Sequence, residues 1–415
     1  MSTKKLTRRE ILKLAGIGAT GMVLGASGLG TVMKTSGYER LTSLDDNQSA
    51  TNKIAFYGRH QSGITTPLQS HIYFAALDVL VETKEELRQL FKLWTPLTVR
   101  LMNGEQIGEP STNGHIPPAD TGEATGIDAS NLTITFGVGH SLFENKLLNI
   151  KNLKPKELTE LPHFPKDQLE EAYCGGDLCI QACADDPQIA FHAVRNLVRA
   201  ANGKVKIKWS QAGFNAIPPN GGTPRNLFAF KDGTVNPTKK QEYNDSVWIQ
   251  SGESKNWLVN GTYLIYRRIQ MHLETWDRTT LHQQEATFGR YRDSGAPFGK
   301  KNEFDDFDEL EKDASGNYII PETSHVHLAR IAKQTILRRS FSYSSGIMSN
   351  TGAYDAGLMF ISFQKNPKQF IDIQNSLGRN DKMNEYITHR GSAIFACFPG
   401  VEKGSYLGEA LFTNL

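Results

Sequence analysis

The chain has 415 residues, enough for two or three domains or for one duplicated fold with a large buried core. Its 46 basic and 44 acidic residues leave a net charge of +2, which argues against the basic surface that nucleic-acid binding needs. Its four cysteines are too few for a disulfide framework in a chain of this length.

Residues 1–33 predict an export signal. A pair of arginines, Arg8 and Arg9, precedes residues 14–33, which carry no charge and contain six glycines. This pattern resembles a twin-arginine transport signal, and it predicts the export machinery of that route as a partner. The alternative is a membrane anchor, since about 20 apolar residues can span a bilayer, but the glycines make a poor span. We expect the protein in the periplasm, on the cell surface or outside the cell.

Residues 34–53 are polar and predict a linker before a first domain at 54–225. Hydrophobic periodicity then predicts the order β-α-β-β-α-β, which is typical of a ferredoxin-like domain. Pro96 is expected to kink or interrupt the first helix near its end. The predicted elements are strand 69–80, helix 82–102, strands 132–138 and 178–184, helix 187–201 and strand 205–212.

A second domain at 226–415 repeats this plan after a boundary rich in proline and glycine near 215–226. Two ferredoxin-like halves predict an α+β fold like a dimeric α+β barrel, with antiparallel sheets face to face and helices outside. Residues 290–350 are predicted to be mostly insertion, and long structureless loops are usually functional. The acidic stretch 303–311 is expected to be a solvated loop. The predicted elements of this half are strand 261–274, helix 278–289, strand 357–364, helix 368–375 and strand 392–398.

Three side chains of the second half that could take part in catalysis or bind a metal lie in short motifs. Taken singly, each has an ordinary explanation: a surface β-turn for Asp-Gly, a core or capping histidine, and a solvated arginine pair. The three are Asp232 within FKDGT (230–234), His325 within SHVHL (324–328) and Arg338 within LRRS (337–340).

Together, in this order, these motifs resemble the dye-decolorizing (DyP-type) haem peroxidases, and the resemblance covers nearly all of the chain after the signal. The signature of that family is Gly-x-x-Asp-Gly, and Ala229 replaces its first glycine in this chain. Within the family, the chain looks closest to an exported deferrochelatase/peroxidase subgroup that is linked to iron uptake. Further segments that match family patterns are PADTGE (118–123), TFGVG (135–139), GGDL (175–178), SGAP (294–297) and FPG (398–400).

The resemblance implies that each chain binds one haem b. His325 would be the axial ligand of the haem iron, and Gly233, Thr234 and Val235 would lie against the haem. A histidine can be an axial ligand if an acceptor holds its other ring nitrogen, because this fixes the tautomer and raises the basicity of the ring. Glu385 is the predicted acceptor.

On the other side of the haem, Asp232 and Arg338 would act on hydrogen peroxide, and Arg338 would also contact the haem. Peroxide reduction needs a group that accepts and returns a proton, and a carboxylate favours an acidic pH optimum. It also needs a cation beside the leaving oxygen, and a guanidinium stays charged at any relevant pH. Asn236 is expected to add a neutral donor in the same cavity.

Two other patterns mimic metal sites. On a strand, His327 would share a face with His325 and suggest a two-histidine site, but no third ligand is spaced to complete it. Cys174, Cys179 and Cys183 have the spacing of an iron–sulfur fragment, but a fourth nearby thiolate is missing. Because Cys179 and Cys183 fall in an apolar, strand-like run, we expect buried and inert thiols.

The leading hypothesis is an exported haem b peroxidase that oxidises bulky or phenolic donors. Donors too large for the haem cavity would lose electrons at surface aromatic residues such as Trp257 or Trp276. One alternative is a deferrochelatase that releases iron from haem, or an oxidase of ferrous iron, in either case for an iron-uptake system. Another is a non-enzymatic haem carrier, but storage requires neither an acid nor a cation above the iron. A homo-oligomer is among the expected assemblies, and nucleic acid is not an expected partner.

Overall fold

The computed structural model of the protein describes residues 52–109, 113–219, 222–378 and 380–413. The predicted export signal and most of the predicted linker lie outside the described residues. Among the residues that are described, no helix is long and apolar enough to cross a membrane.

The first half has the predicted β-α-β-β-α-β order. Its second and third strands are entirely buried, which is why a short apolar run identified each of them. The elements are β1 (His71–Val79), α1 (Lys84–Met102), β2 (Thr133–Gly139), β3 (Leu178–Ala184), α2 (Pro187–Ala200) and β4 (Val205–Phe214).

Helix α1 begins with a capping box. The Thr83 hydroxyl accepts the Glu86 backbone N–H at 3.2 Å, and the Glu86 carboxylate accepts the Thr83 N–H at 3.0 Å. The helix continues through Pro96 to its end, so the predicted interruption there is wrong. Proline removes one backbone donor, but buried residues such as Trp94 and Leu101 anchor the helix on both sides of it.

The second half contains its predicted elements, and part of the predicted insertion is regular structure. One helix and two strands form within 290–350, and both strands pair with the strand that follows them. The elements are α3 (Lys240–Ser246), β5 (Thr262–Met271), α4 (Leu273–Trp276), α5 (Leu281–Phe288), α6 (His325–Ile331), β6 (Leu337–Arg338), β7 (Phe341–Ile347), β8 (Tyr354–Gln364), α7 (Lys368–Leu377), β9 (Ile387–Cys397) and α8 (Glu409–Thr413).

The strands form one nine-stranded antiparallel sheet in the order β5-β9-β2-β3-β1-β4-β7-β8-β6, and an additional pairing of β5 with β8 closes it into a barrel. The two halves meet where β2 pairs with β9 and where β4 pairs with β7, and in the first of these pairings Gly137 lies opposite Cys397. A Cβ at Gly137 would approach the Phe395 Cβ of β9 to 2.9 Å, so the contact between the halves favours glycine. The predicted α+β fold is confirmed.

Strand β5 faces the barrel core on one side and a cavity on the other. Leu264 and Tyr266 pack into an apolar cluster with residues of the first half, whereas Arg267 and Ile269 line the cavity. Successive side chains of a strand point to opposite faces. The same strand therefore supplies both a core and a wall of the site described below.

The cysteines of β3 are buried, as predicted. Burial raises the pKa of the Cys183 thiol to about 11, so that thiol stays protonated and unreactive at neutral pH. In the described part of the chain, no group of three or more His, Cys, Asp or Glu side chains is arranged to hold a metal ion.

The two tryptophans that were expected at the surface are buried. Trp257 is 2% exposed and Trp276 is 3% exposed, so the prediction that they are surface electron-transfer sites is wrong. The Trp257 indole N–H donates to the Leu153 carbonyl at 2.9 Å, and the Trp276 indole N–H donates to the Phe228 carbonyl at 3.2 Å. These bonds satisfy the polar end of each ring and allow it to be buried.

Candidate active site

The second half contains a cavity of about 610 Å³, which we call the main cavity. Its volume lies within the roughly 300–1,000 Å³ that is typical of ligand and cofactor sites. Asp232, His325 and Arg338, which are far apart in the sequence, all line it. Apolar side chains form much of the wall: Phe228, Ile269, Met271, Phe288, Leu358, Phe360, Phe370, Ile373, Leu377, Met383 and Ile387.

His325 is the first residue of α6, and its ring lines the main cavity. Its Nδ1 lies 2.7 Å from a carboxylate oxygen of Asp381, a buried residue. A histidine that donates Nδ1–H to a carboxylate carries its lone pair on Nε2, which is the tautomer that binds a metal through Nε2. Nε2 has no hydrogen-bond partner among the described residues, so it is free to bind a ligand.

Asp381 is the acceptor for His325, so the prediction of Glu385 is wrong. Asp381 also caps the short 3₁₀ helix Lys382–Glu385, because it accepts the Met383 backbone N–H at 2.8 Å. This turn carries Glu385 to the surface, where it is exposed. An aspartate suits the N-cap of that turn, but no local pattern in the sequence links Asp381 to His325.

His327 lies two residues after His325 on a helix and not on a strand, so the two rings do not share a face. His327 is buried, and its ring makes an edge contact with the Tyr318 ring at a centroid distance of 5.7 Å. His327 is therefore a core histidine.

Asp232 and Arg338 meet at the wall of the main cavity. Arg338 Nη1 lies 2.9 Å from a carboxylate oxygen of Asp232 and forms an ion pair with it, and the two side chains are 27% and 14% exposed. An ion pair in contact with water adds little to stability, but it orients both groups. The pair brings a proton acceptor and a cation to one point of the cavity.

Asn236 holds the backbone of Arg338. Its Nδ2 donates to the Arg338 carbonyl at 2.7 Å, and its Oδ1 accepts the Arg338 N–H at 2.9 Å. Asn236 lines a second cavity of about 240 Å³, the side cavity, which shares Asp232 and Arg338 with the main cavity. Asn236 therefore holds Arg338 in place, and its role as a donor in the peroxide cavity stays a prediction.

The loop that carries Asp232 contains two residues with positive φ. Gly233 has φ +113°, a value that favours glycine. Ala229, which replaces the glycine of the family signature, has φ +68°, and an L-residue in the left-handed region costs about 1–2 kcal/mol. The Arg225 guanidinium donates to the Ala229 carbonyl at 2.7 Å and so holds this turn. The alanine therefore adopts a conformation that would be easier for glycine.

The residues after Asp232 divide between the two cavities. Thr234 and Val235 line the main cavity, as expected for residues that contact a cofactor, whereas Gly233 lines the side cavity. The basic residues Arg290, Arg330 and Lys333 also line the main cavity.

A buried ion pair on the wall of the main cavity was missed by the sequence analysis. Arg267 donates to the Asp167 carboxylate, and His389 lies beside them with Nδ1 3.7 Å from Asp167. Burial, together with the Arg267 charge, lowers the pKa of His389 to about 3, so the ring is neutral at neutral pH. Arg267 Nε and His389 Nδ1 have no hydrogen-bond partner within the described ranges. The sequence feature that could have pointed to this pair was a charged residue, Arg267, within the apolar strand β5.

Comparisons with known proteins cover both halves. The family model for the Dyp-type peroxidase N-terminal domain matches residues 61–215, and the model for the C-terminal domain matches residues 223–402. Deferrochelatases from Shigella sonnei and Yersinia pestis are each 36% identical over 98% of this chain, and over 96% and 94% of their own lengths.

Solved structures agree with these matches. An oxyferrous complex of DtpA from Streptomyces lividans has a TM-score of 0.81 and 33% identity, over 87% of this chain and 97% of that chain. A DyP-type peroxidase from Cellulomonas bogoriensis has a TM-score of 0.78 and 34% identity, over 86% and 98%. A DypB variant from Rhodococcus jostii RHA1, in complex with heme, shares the fold at 17% identity and a TM-score of 0.58. The chain belongs to the Dyp-type peroxidase family.

Proposed function

We propose that the protein is an exported haem b peroxidase that reduces hydrogen peroxide and oxidises bulky or phenolic donors. One observation carries the proposal: the main cavity joins a histidine whose Nε2 is free, His325, with the Asp232–Arg338 pair. Family membership supports a haem-dependent enzyme.

The residues of the main cavity fit haem b. The apolar wall suits the macrocycle, and Nε2 of His325 suits the iron. The cations Arg290, Arg330 and Lys333 would suit the propionates, because a partly buried anion needs a cation or hydrogen-bond donors.

Each polar residue then has a defined role in peroxide reduction. When bound, haem would supply the iron and the electrons that reduce peroxide, and electron donors would then restore it. Asp232 accepts a proton from one peroxide oxygen and returns it to the other, which leaves as water. Arg338 stabilises the negative charge that develops on the leaving oxygen. Asn236 and Asp381 hold Arg338 and His325 in place.

A second function, release of iron from haem, is favoured by the deferrochelatase relatives, which match this chain over nearly its whole length. It would use the same cavity. Incubating the haem-loaded protein with a ferrous chelator and following protoporphyrin fluorescence separates the two. Appearance of free protoporphyrin supports iron release, and unchanged haem supports the peroxidase alone.

The proposal that the protein is exported rests on the sequence of residues 1–33. The twin-arginine machinery and iron-uptake components are the proposed partners of the protein. Fractionation of cells that express the full chain tests this part of the proposal. Recovery of the protein only from the cytoplasm would contradict it.

Replacing Arg338 with leucine is expected to lower the rate constant for peroxide reduction roughly 10²–10³-fold, the usual loss when one donor to a developing oxyanion is removed. Haem content should stay near that of the wild type, because the apolar wall and His325 remain. Both are measured on the purified protein, from haem absorbance and peroxide-dependent donor oxidation. If Arg338 only anchors a propionate, haem affinity falls and the remaining holoprotein reacts normally.

Replacing Asp381 with asparagine is expected to weaken haem binding about 10–100-fold, which is typical of lost outer-shell partners of a metal-binding histidine. Asparagine can still cap the following turn, so the fold should persist. The measurement is the rate at which haem passes to an excess of a haem-binding scavenger. The matched control is Glu385→Gln, which should leave that rate unchanged. An effect of the control as large as that of Asp381→Asn would restore Glu385 as the acceptor.

A further inference from the structure

Glu303 belongs to the acidic stretch that was predicted to be a solvated loop, but it is 7% exposed. One of its carboxylate oxygens accepts a hydrogen bond from Lys231 Nζ, and the other accepts from the Thr234 hydroxyl at 2.9 Å. Lys231 and Thr234 lie on either side of the Asp232-Gly233 pair. The insertion therefore holds the loop on both sides of Asp232.

Glu303 is itself held in place by the insertion. Arg290 Nη1 donates to the Glu303 carbonyl at 3.0 Å and to the Gly295 carbonyl at 2.7 Å. Gly295 has φ +75°, and a Cβ there would come within 2.7 Å of Lys231 Cδ. Glycine at position 295 therefore lets the insertion pack closely against the Lys231 side chain.

The Glu303 carboxylate is ionised in this setting. Burial would raise its pKa, but hydrogen bonds from Lys231, Thr223 and Thr234 outweigh burial and hold the pKa below its ordinary value. It forms an ion pair with Lys231 in which the two side chains are 7% and 22% exposed, and removing the carboxylate leaves the partly buried Lys231 ammonium without its partner. Loss of Glu303 would therefore displace Lys231.

Both carboxylate oxygens of Glu303 are occupied, and Glu303 is not among the described residues that line the main cavity. Lys231, Asp232 and Thr234 do line it. We infer that Glu303 is a positioning residue, which fixes the Asp232 carboxylate by clamping the residues on both sides of it. This inference rests on the proposed role of Asp232 in peroxide reduction.

The test compares three haem-loaded variants with the wild type. Glu303→Ala removes both hydrogen bonds and should slow peroxide reduction about 10–100-fold, because a displacement of about 1 Å in an active site can cost 10²-fold. Glu303→Gln keeps the size and an acceptor for Lys231, so its loss should be smaller. Glu311→Ala, in the same insertion, removes only a partly exposed ion pair with Lys300 and should have no effect.

A double variant shows whether Glu303 acts through Asp232. If it does, Glu303→Ala combined with Asp232→Asn should be no slower than Asp232→Asn alone, since the positioned group is already lost. Losses that multiply would overturn the inference, as would a Glu303→Ala variant with the wild-type rate. A general loss of structure would instead lower the melting temperature of both Glu303 variants and multiply with the loss from Asp232→Asn.

A second readout needs neither haem nor turnover. Labelling of Lys231 by an amine-reactive reagent, followed by peptide mass spectrometry, should be several-fold faster in Glu303→Ala than in the wild type or Glu311→Ala. Equal labelling in all three proteins would contradict the clamp. If Asp232→Asn reduces peroxide at the wild-type rate, the proposed role of Asp232 fails, and faster Lys231 labelling would still show that the clamp exists.

Discussion

Replacing His325 with alanine is expected to abolish stable haem binding. Among the described residues of the main cavity, His325 is the histidine whose Nε2 is free while a buried carboxylate holds Nδ1. His389, the other histidine on the wall, is held neutral inside a buried ion-pair cluster. Without His325 the iron would have no imidazole ligand, and only the apolar wall and the cations of the cavity would hold the haem.

The measurement is the haem content and the Soret absorbance of the purified variant after incubation with excess haem. His327→Ala is the control, because His327 packs against Tyr318 in the core and should be dispensable for haem binding. Full haem retention with an unchanged spectrum in His325→Ala would show that another residue binds the iron.

Replacing Asp232 with asparagine is expected to slow peroxide reduction about 10²–10⁴-fold, the usual loss when a general acid–base group is removed. Asparagine has the same shape, and its amide oxygen can still lie beside the Arg338 guanidinium, so the arrangement of the two side chains should survive. What it cannot do is accept and return the peroxide proton. The effect should therefore appear in the rate and not in haem content.

Rapid mixing of the haem-loaded variant with peroxide, followed by absorbance, gives that rate directly. Asp245→Asn, a change at an exposed aspartate of α3, is the control and should match the wild type. A rate for Asp232→Asn within a factor of two of the wild type would mean that water or Arg338 handles the proton.

The fold could be predicted largely from the sequence because most of its elements carry a strong local pattern. Strand β3 is a seven-residue apolar run whose residues are all buried, and it was predicted with its observed bounds. The strands of the insertion were harder to predict, because β7 has three buried residues followed by four exposed ones and β6 has only two residues. Their stability comes from pairing with β8, which is a tertiary contact.

The three main residues of the site could be predicted from motifs, but their partners could not. Asp381 lies 56 residues after His325 and Glu303 lies 72 residues after Lys231, so neither contact leaves a local pattern. Glu303 also looks like any other residue of an acidic run, because the sequence does not show which carboxylate is buried. For the same reason, the Arg267–Asp167 pair could not be recognised before the strands were placed.

The main cavity is proposed to hold a haem at which peroxide is reduced, with Asp232 transferring the proton and Arg338 stabilising the leaving oxygen. The most direct test is the absorption spectrum of the purified, haem-loaded protein before and after one equivalent of hydrogen peroxide, and again after a phenolic donor is added. We expect one haem per chain, a Soret band that changes rapidly with peroxide, and recovery of the starting spectrum as the donor is oxidised. Failure to bind haem, or a haem spectrum that peroxide leaves unchanged, would contradict it.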